Sequence, residues 1–285
     1  MTPADPNKKK QSTISKLMTR AAEKRAEEPA PRKQRVKSIV GDGKAMIRSA
    51  LLEANMLVPG SKLGANFVDQ YRRVKRPLIS NAFGKTASLV ENGNLILITS
   101  SVPGEGKTHS AINLALSISQ ERDRTVLLID CDVARQGTSR MLGLNDRPGL
   151  VDVLLDEDTN IGDVMMTTDV EGLRFVSAGR QDDYVTELLA SRRMSELVEE
   201  VANRYDDRII IFDAPPLLAT PQTPILATLV GQVVFIIESG KTPQAVVDQA
   251  IDLIPEEQAV SILLNKSEAA SSGSYYYYGY YEPYE

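Results

Sequence analysis

One cysteine, one histidine and no long apolar run stand in a sequence of 285 residues. The lone Cys131 excludes an internal disulfide and fits a reducing, cytoplasmic setting. No stretch approaches the roughly eighteen consecutive apolar residues that a membrane-spanning helix needs. The first thirty residues are polar and charged, so a secretory signal is not predicted either. A role at a membrane would then come through a partner.

Charge is unevenly spread. Residues 1–44 hold twelve Lys or Arg against five acids, a local balance of +7, while the remainder carries -12. A basic arm of this kind suits nucleic acid, an anionic leaflet or simply a solvated linker. Residues 1–40 also lack periodic apolar positions, so they read as a disordered arm that cannot offset the entropy of ordering. At the other end, seven of the ten tyrosines crowd into the last eleven residues: Tyr275, Tyr276, Tyr277, Tyr278, Tyr280, Tyr281 and Tyr284. The flanking Ser, Gly, Pro and Glu make this tail too polar and too broken for a core strand.

Between these ends the apolar pattern is ordered. Met46, Ile47, Ala50, Leu51, Ala54 and Leu57 recur at spacings of three and four, predicting an amphipathic helix over 45–57. A second helix is predicted from Ala65 to about Arg76, stopping before Pro77. After the turn at Glu91-Asn92-Gly93-Asn94, short apolar runs alternate with helical patterns. Strands are expected at 95–99, 125–129, 173–177, 208–212, 232–238 and 260–264. Helices are expected near 107–120, 150–155, 186–204, 223–230 and 243–254. Such alternation predicts an α/β fold, a mostly parallel sheet with helices on both faces. The runs Ile209–Phe212 and Val233–Ile237 suit central strands covered on both sides.

Three strand ends carry the chemistry. Pro103-Gly104-Glu105-Gly106-Lys107-Thr108 follows the first strand and opens a helix, the setting of a phosphate-binding loop. Glycines let backbone N–H groups turn toward phosphates, Lys107 reaches the β- and γ-phosphates, and Thr108 offers a hydroxyl to Mg²⁺. The usual first glycine of that loop is Ser101 here. The second strand ends in Asp130-Cys131-Asp132, two carboxylates at the ligand edge of a parallel sheet. One can serve metal while the other takes a proton or positions a nucleophile, although loop caps would look the same. Cys131 between them reads as a packing residue and His109 as a residue at the helix start. A third apolar strand ends in Asp213, the position of a Walker B carboxylate on Mg²⁺.

Taken together, these motifs resemble the bacterial tyrosine autokinases linked to exopolysaccharide synthesis, within the group that includes the MinD and ParA ATPases. The likeness runs from about Asn66 onward, through Gln70–Leu78, the phosphate loop, Thr186–Ser191, Asp213–Leu218 and the tyrosine tail. It looks nearest to the standalone form found with exosortase-type loci. The resemblance implies ATP and Mg²⁺ as cofactors and tail tyrosines as acceptors on a neighbouring subunit. It places Lys107, Asp130 and Asp132 in catalysis, and Thr108, Asp132 and Asp213 on the metal. The nucleotide would be held by Pro103–Thr108, His109 and Asn265, the last at the adenine. Arg72, Arg73 and Arg76 would lie on an intersubunit helix of a ring-like homo-oligomer, activated by a separate inner-membrane protein, with no nucleic-acid partner. The implied organisation is a basic arm (1–40), a helical oligomerisation segment (41–90), a kinase domain (91–266) and a tail (267–285). Two positions depart from the pattern: Ala134, where an arginine is frequent, and Gln222, where an aspartate is common. A positioning ATPase and a non-catalytic scaffold are the competing readings. The first normally carries a lysine where Val102 stands; the second has no need of intact Lys107, Thr108, Asp130, Asp132 and Asp213.

Overall fold

The computed structural model describes residues 44–59, 61, 63–84 and 90–267; the basic arm and all seven tail tyrosines lie outside these described residues. The central strand β1 (Leu95–Ser100) leads into α3 (Lys107–Ile118), which follows the short α1 (Arg48–Glu53) and the long α2 (Ala65–Phe83). Next come β2 (Thr125–Asp130), α4 (Gly137–Met141), α5 (Leu150–Leu155), α6 (Ile161–Val164), β3 (Met166–Thr167) and β4 (Leu173–Val176). The chain continues through α7 (Val185–Leu189), α8 (Arg192–Asn203), β5 (Arg208–Asp213), α9 (Gln222–Ala227), β6 (Gln232–Glu238), α10 (Gln244–Ile251) and β7 (Ala259–Asn265).

The seven strands form one sheet in the order β3-β4-β2-β5-β1-β6-β7. All pairs are parallel except β3 with β4. Successive side chains of a strand point to opposite faces, and the sequence uses that alternation to build two cores. Leu95, Leu97, Leu127, Ile129, Ile210 and Phe212 meet the helices α5 to α10. Ile96, Ile98, Val126, Leu128, Ile209 and Ile211 meet α1, α2 and α3. Covering both faces is why the central strands read as continuous apolar runs. At the β7 edge the cover thins, and Val260, Ile262 and Leu264 are exposed.

Three helical expectations are corrected. The first helix does not span 45–57: it begins at Arg48 and ends at Glu53, where Asn55 turns the chain with a left-handed φ of 53°. Its start is set from afar, because the Asp169 carboxylate accepts from the backbone N–H of Ile47 at 2.9 Å and of Arg48 at 3.2 Å. Met46 is consequently outside the helix and exposed, while Ile47 and Leu51 are buried.

The second helix runs through Pro77 to Phe83. Proline removes the N–H that would bond the Arg73 carbonyl, but both residues sit on the exposed face, where water can serve that carbonyl. The turn beyond it is held by burial of Leu78 and by Gln232, whose Nε2 donates to the Leu78 carbonyl at 3.0 Å and whose Oε1 accepts from Asn81 at 2.8 Å. Tertiary anchoring thus outweighs one missing backbone bond.

The third, expected over 186–204, is two helices. Ser191 interrupts it by accepting from the Met194 N–H as N-cap of α8, whose buried Met194, Leu197, Val198 and Val201 follow the helical period. Missed altogether were α4, α6 and the antiparallel β3, all too short for periodicity to reveal.

Candidate phosphate and metal site

The strand order brings the ends of β1, β2 and β5 side by side, with Asp130 opposite Asp213 and Asp213 opposite Ile98 in the register. The phosphate loop therefore opens next to both carboxylate-bearing strand ends, as an open parallel sheet requires of its ligand edge.

The loop's conformation rests on glycine. Gly104 and Gly106 have φ of 95° and 98°, a region that other residues rarely enter. A Cβ on Gly106 would lie 2.0 Å from Asn265 Nδ2. Glu105 turns its side chain inward, only 1% exposed, where the carboxylate accepts from the Val102 N–H at 2.8 Å, the Glu238 N–H at 3.3 Å and the Thr242 hydroxyl. Its side chain holds the loop closed, so what it can offer a nucleotide is its backbone N–H. Pro103 is exposed and has no N–H to give.

The end of β7 grips the same loop. Asn265 Nδ2 donates to the Glu105 carbonyl at 2.8 Å, and Lys266 Nζ to the Gly104 carbonyl at 2.7 Å while pairing with Glu238 at 3.2 Å. Sequence reasoning named Asn265 and missed Lys266, Glu238 and Thr242. Lys266 is adjacent to a named residue; the other two carry no local signal.

Lys107 is buried, and burial lowers its pKa against the opposing pull of Asp213 and Asp132. Thr108 donates its hydroxyl to Asp213 Oδ2 at 2.9 Å, and Thr138, at the start of α4, donates to that same oxygen at 2.6 Å. Asp213 Oδ1 is buried and has no hydrogen-bond partner among the described residues. Burial raises the Asp213 pKa to about 6 despite the two threonine donors.

Asp130 differs. Its Oδ2 accepts from the Ser139 N–H at 2.8 Å and the Ser139 hydroxyl at 2.7 Å, and its Oδ1 from the Asp132 N–H at 3.1 Å. Burial, followed by the nearby Asp213 charge, raises its pKa to about 7. Asp132 is mostly buried, and its Oδ1 accepts from the Arg135 N–H at 3.2 Å. Cys131 is fully buried, and burial pushes its thiol pKa well up, in keeping with a packing residue.

The donor set fits Mg²⁺. Thr108, Asp213 with its bare Oδ1, and Asp132 are hard oxygen donors that could hold it, and Mg²⁺ commonly completes its shell with water and substrate phosphates. Among the described residues there is no group of three or more His, Cys, Asp or Glu able to cage a metal without such help.

His109 directly follows Thr108 on α3, and the predicted arginines lie on α2. His109 sits between Asn113, with Nδ2 3.0 Å from Nδ1, and the Phe67 ring of α2 at 6.3 Å; burial lowers its pKa. Arg72, Arg73 and Arg76 are exposed along α2, with Arg72 bonded to Asp69 at 2.9 Å. Lys75 turns inward to the Ser117 carbonyl and Glu121, both at 2.6 Å.

Residues 93–256 match the family described as AAA domain. The tyrosine-protein kinase YwqD of Bacillus subtilis (strain 168) is 30% identical over 213 residues, 74% of this chain and 86% of that protein. The tyrosine-protein kinase wzc of Salmonella typhimurium is 30% identical over 69% of this chain, which spans only 27% of that longer protein. Among solved structures, the VpsO kinase domain superposes with a TM-score of 0.57 at 29% identity, covering 70% of this chain and 98% of that one. The septum site-determining protein MinD of Pyrococcus horikoshii, complexed with Mg-ADP, shares the fold at a TM-score of 0.52 and 22% identity, covering 62% of this chain and 72% of that one.

Proposed function

Because the chain belongs to the bacterial tyrosine-kinase family of P-loop proteins with an AAA domain, we propose that it transfers the γ-phosphoryl group of ATP to tyrosine hydroxyls. The observation that carries this reading is the pairing of a glycine-built phosphate loop with an Asp213 carboxylate that keeps one buried oxygen bare beside Thr108. Backbone N–H groups of the loop and Lys107 cradle the phosphates. Thr108, Asp132 and Asp213 would hold Mg²⁺, which when bound offsets charge on the phosphate oxygens.

Asp132 is also the carboxylate suited to receive the tyrosine proton. As the tyrosine oxygen bonds to the γ-phosphorus, the bond to the bridging oxygen breaks and ADP leaves. Asp130, with both oxygens already taken by Ser139 and the Asp132 backbone, acts by holding that segment in place. Lys107 offsets the charge that develops during transfer.

The acceptors are Tyr275, Tyr276, Tyr277, Tyr278, Tyr280, Tyr281 and Tyr284 of a neighbouring copy, in a homo-oligomer joined through Arg72, Arg73 and Arg76. No helix among the described residues is long and apolar enough to cross a membrane. Activation by a separate inner-membrane protein, in the setting of exopolysaccharide export, is part of the same proposal; its exosortase-type placement rests on the sequence motifs alone. The test is incubation of the full chain with ATP and Mg²⁺, followed by phosphosite mapping by mass spectrometry. Phosphate concentrated on the tail is expected. Absence of phosphotyrosine anywhere would sink the kinase reading, while undiminished incorporation after replacing all seven tail tyrosines with Phe would sink the acceptor assignment.

A further inference from the structure

Two neighbouring hydroxyls at the start of α4, Thr138 and Ser139, each bind a different site aspartate. The two aspartates are treated unequally. Asp130 has donors on both oxygens, the ordinary condition of a buried carboxylate. Asp213 has two donors, Thr108 and Thr138, on Oδ2 and, among the described residues, none on Oδ1. A second donor placed on an oxygen already served does nothing for the orphaned one. It does fix the carboxylate plane.

We propose that Thr138 is a positioning residue for the metal–nucleotide complex: its hydroxyl clamps Asp213 Oδ2 so that Oδ1 stays aimed, bare, at the place where a divalent cation binds beside Thr108. This rests on the reading of Thr108 and Asp213 as metal-binding groups. The local backbone is arranged for the clamp. Gln136 takes a left-handed φ of 51° and is anchored by its Nε2 on the Gly179 carbonyl at 2.7 Å. Gly137 then passes so close to Thr108 that a Cβ would lie 2.9 Å from its hydroxyl oxygen. Thr138 follows, fully buried, with its hydroxyl 2.6 Å from Asp213. A hydroxyl serving only as local stabiliser of α4 would find its partner within α4; this one reaches across 75 residues to β5.

The test compares full-length wild type with Thr138→Val, which keeps the shape and loses the hydroxyl, and Thr138→Ser, which keeps the hydroxyl. Affinity for fluorescent ADP is measured in EDTA and in excess Mg²⁺, without any turnover. In the Val variant the EDTA affinity should equal that of wild type, while the gain on adding Mg²⁺ should shrink about tenfold, the scale of losing one hydrogen bond to a charged group. The Ser variant should recover most of that gain. An unchanged Mg²⁺ gain in the Val variant overturns the proposal. So does an equal fall in EDTA and in Mg²⁺, which would mean general damage to the loop. If wild type itself shows no Mg²⁺ gain, the metal reading beneath the proposal fails as well. Should the Val variant not fold, Thr138→Cys, with a much weaker donor, takes its place with the same expectation.

Discussion

Lys107 and the two opposed aspartates make separable demands on the protein. Lys107 is buried beside Asp213 and Asp132, burial lowering its pKa against their pull, and its charge is expected to serve bound phosphate rather than the apo fold. Lys107→Met is therefore expected to retain a wild-type melting profile and to lose phosphotyrosine formation by several orders of magnitude, since electrostatic stabilisation of transfer is the largest single contribution in such sites. Western detection of phosphotyrosine at the wild-type level would refute the assignment. The aspartates also act on stability. Their pKa values in the folded protein, about 7 for Asp130 and about 6 for Asp213, are raised above the roughly 3.9 of an unfolded chain. The folded state then binds more protons than the unfolded state between these limits, so this contribution is present in full below pH 4 and lost as pH rises through 6 to 7. Urea midpoints of the nucleotide-free protein at pH 5 and pH 8 should show that loss, and Asp130→Asn should flatten it. A midpoint shift identical in both proteins would remove Asp130 as its source.

The elements show what one-dimensional reading can and cannot recover. The central strands were legible because burial on both faces leaves an unbroken apolar run, as in Ile209–Phe212. The phosphate loop was legible because its glycines, lysine and threonine are contiguous. What escaped was held by distant partners: the Asp169 carboxylate that starts α1, the Gln232 side chain that carries α2 past Pro77, and the Thr138 and Ser139 hydroxyls that meet strand ends. None of these pairings leaves a mark in the local pattern. The break between α7 and α8 is different, since Ser191 is a good N-cap residue in plain view although the helical periodicity continues across it. Removing that cap with Ser191→Ala should cost about 1 kcal/mol. Denaturant unfolding gives the value directly, and an unchanged midpoint would mean that burial of Met194, Leu197, Val198 and Val201 alone fixes where α8 begins.

For the whole molecule, the proposed assembly of copies rests on the exposed arginines of α2. Arg72 already gives one hydrogen bond to Asp69 within its own helix, whereas the side chains of Arg73 and Arg76 have no hydrogen bond or ion pair among the described residues. Replacing Arg72 and Arg76 with Ala should lower the particle mass seen by light scattering without changing the melting temperature. An unchanged mass would make this face a solvated one. The strand order carries a further consequence, one of timing. The phosphate loop is synthesised early, yet β1 finds its neighbours only in β5 and β6, and the residues that close the loop, Asn265 and Lys266, come 160 and 162 residues after the carbonyls they hold. A chain still emerging from the ribosome lacks the β7 residues that hold the Gly104 and Glu105 carbonyls. A nucleotide bound at this loop would therefore stabilise the finished core over any chain that stops short of β7.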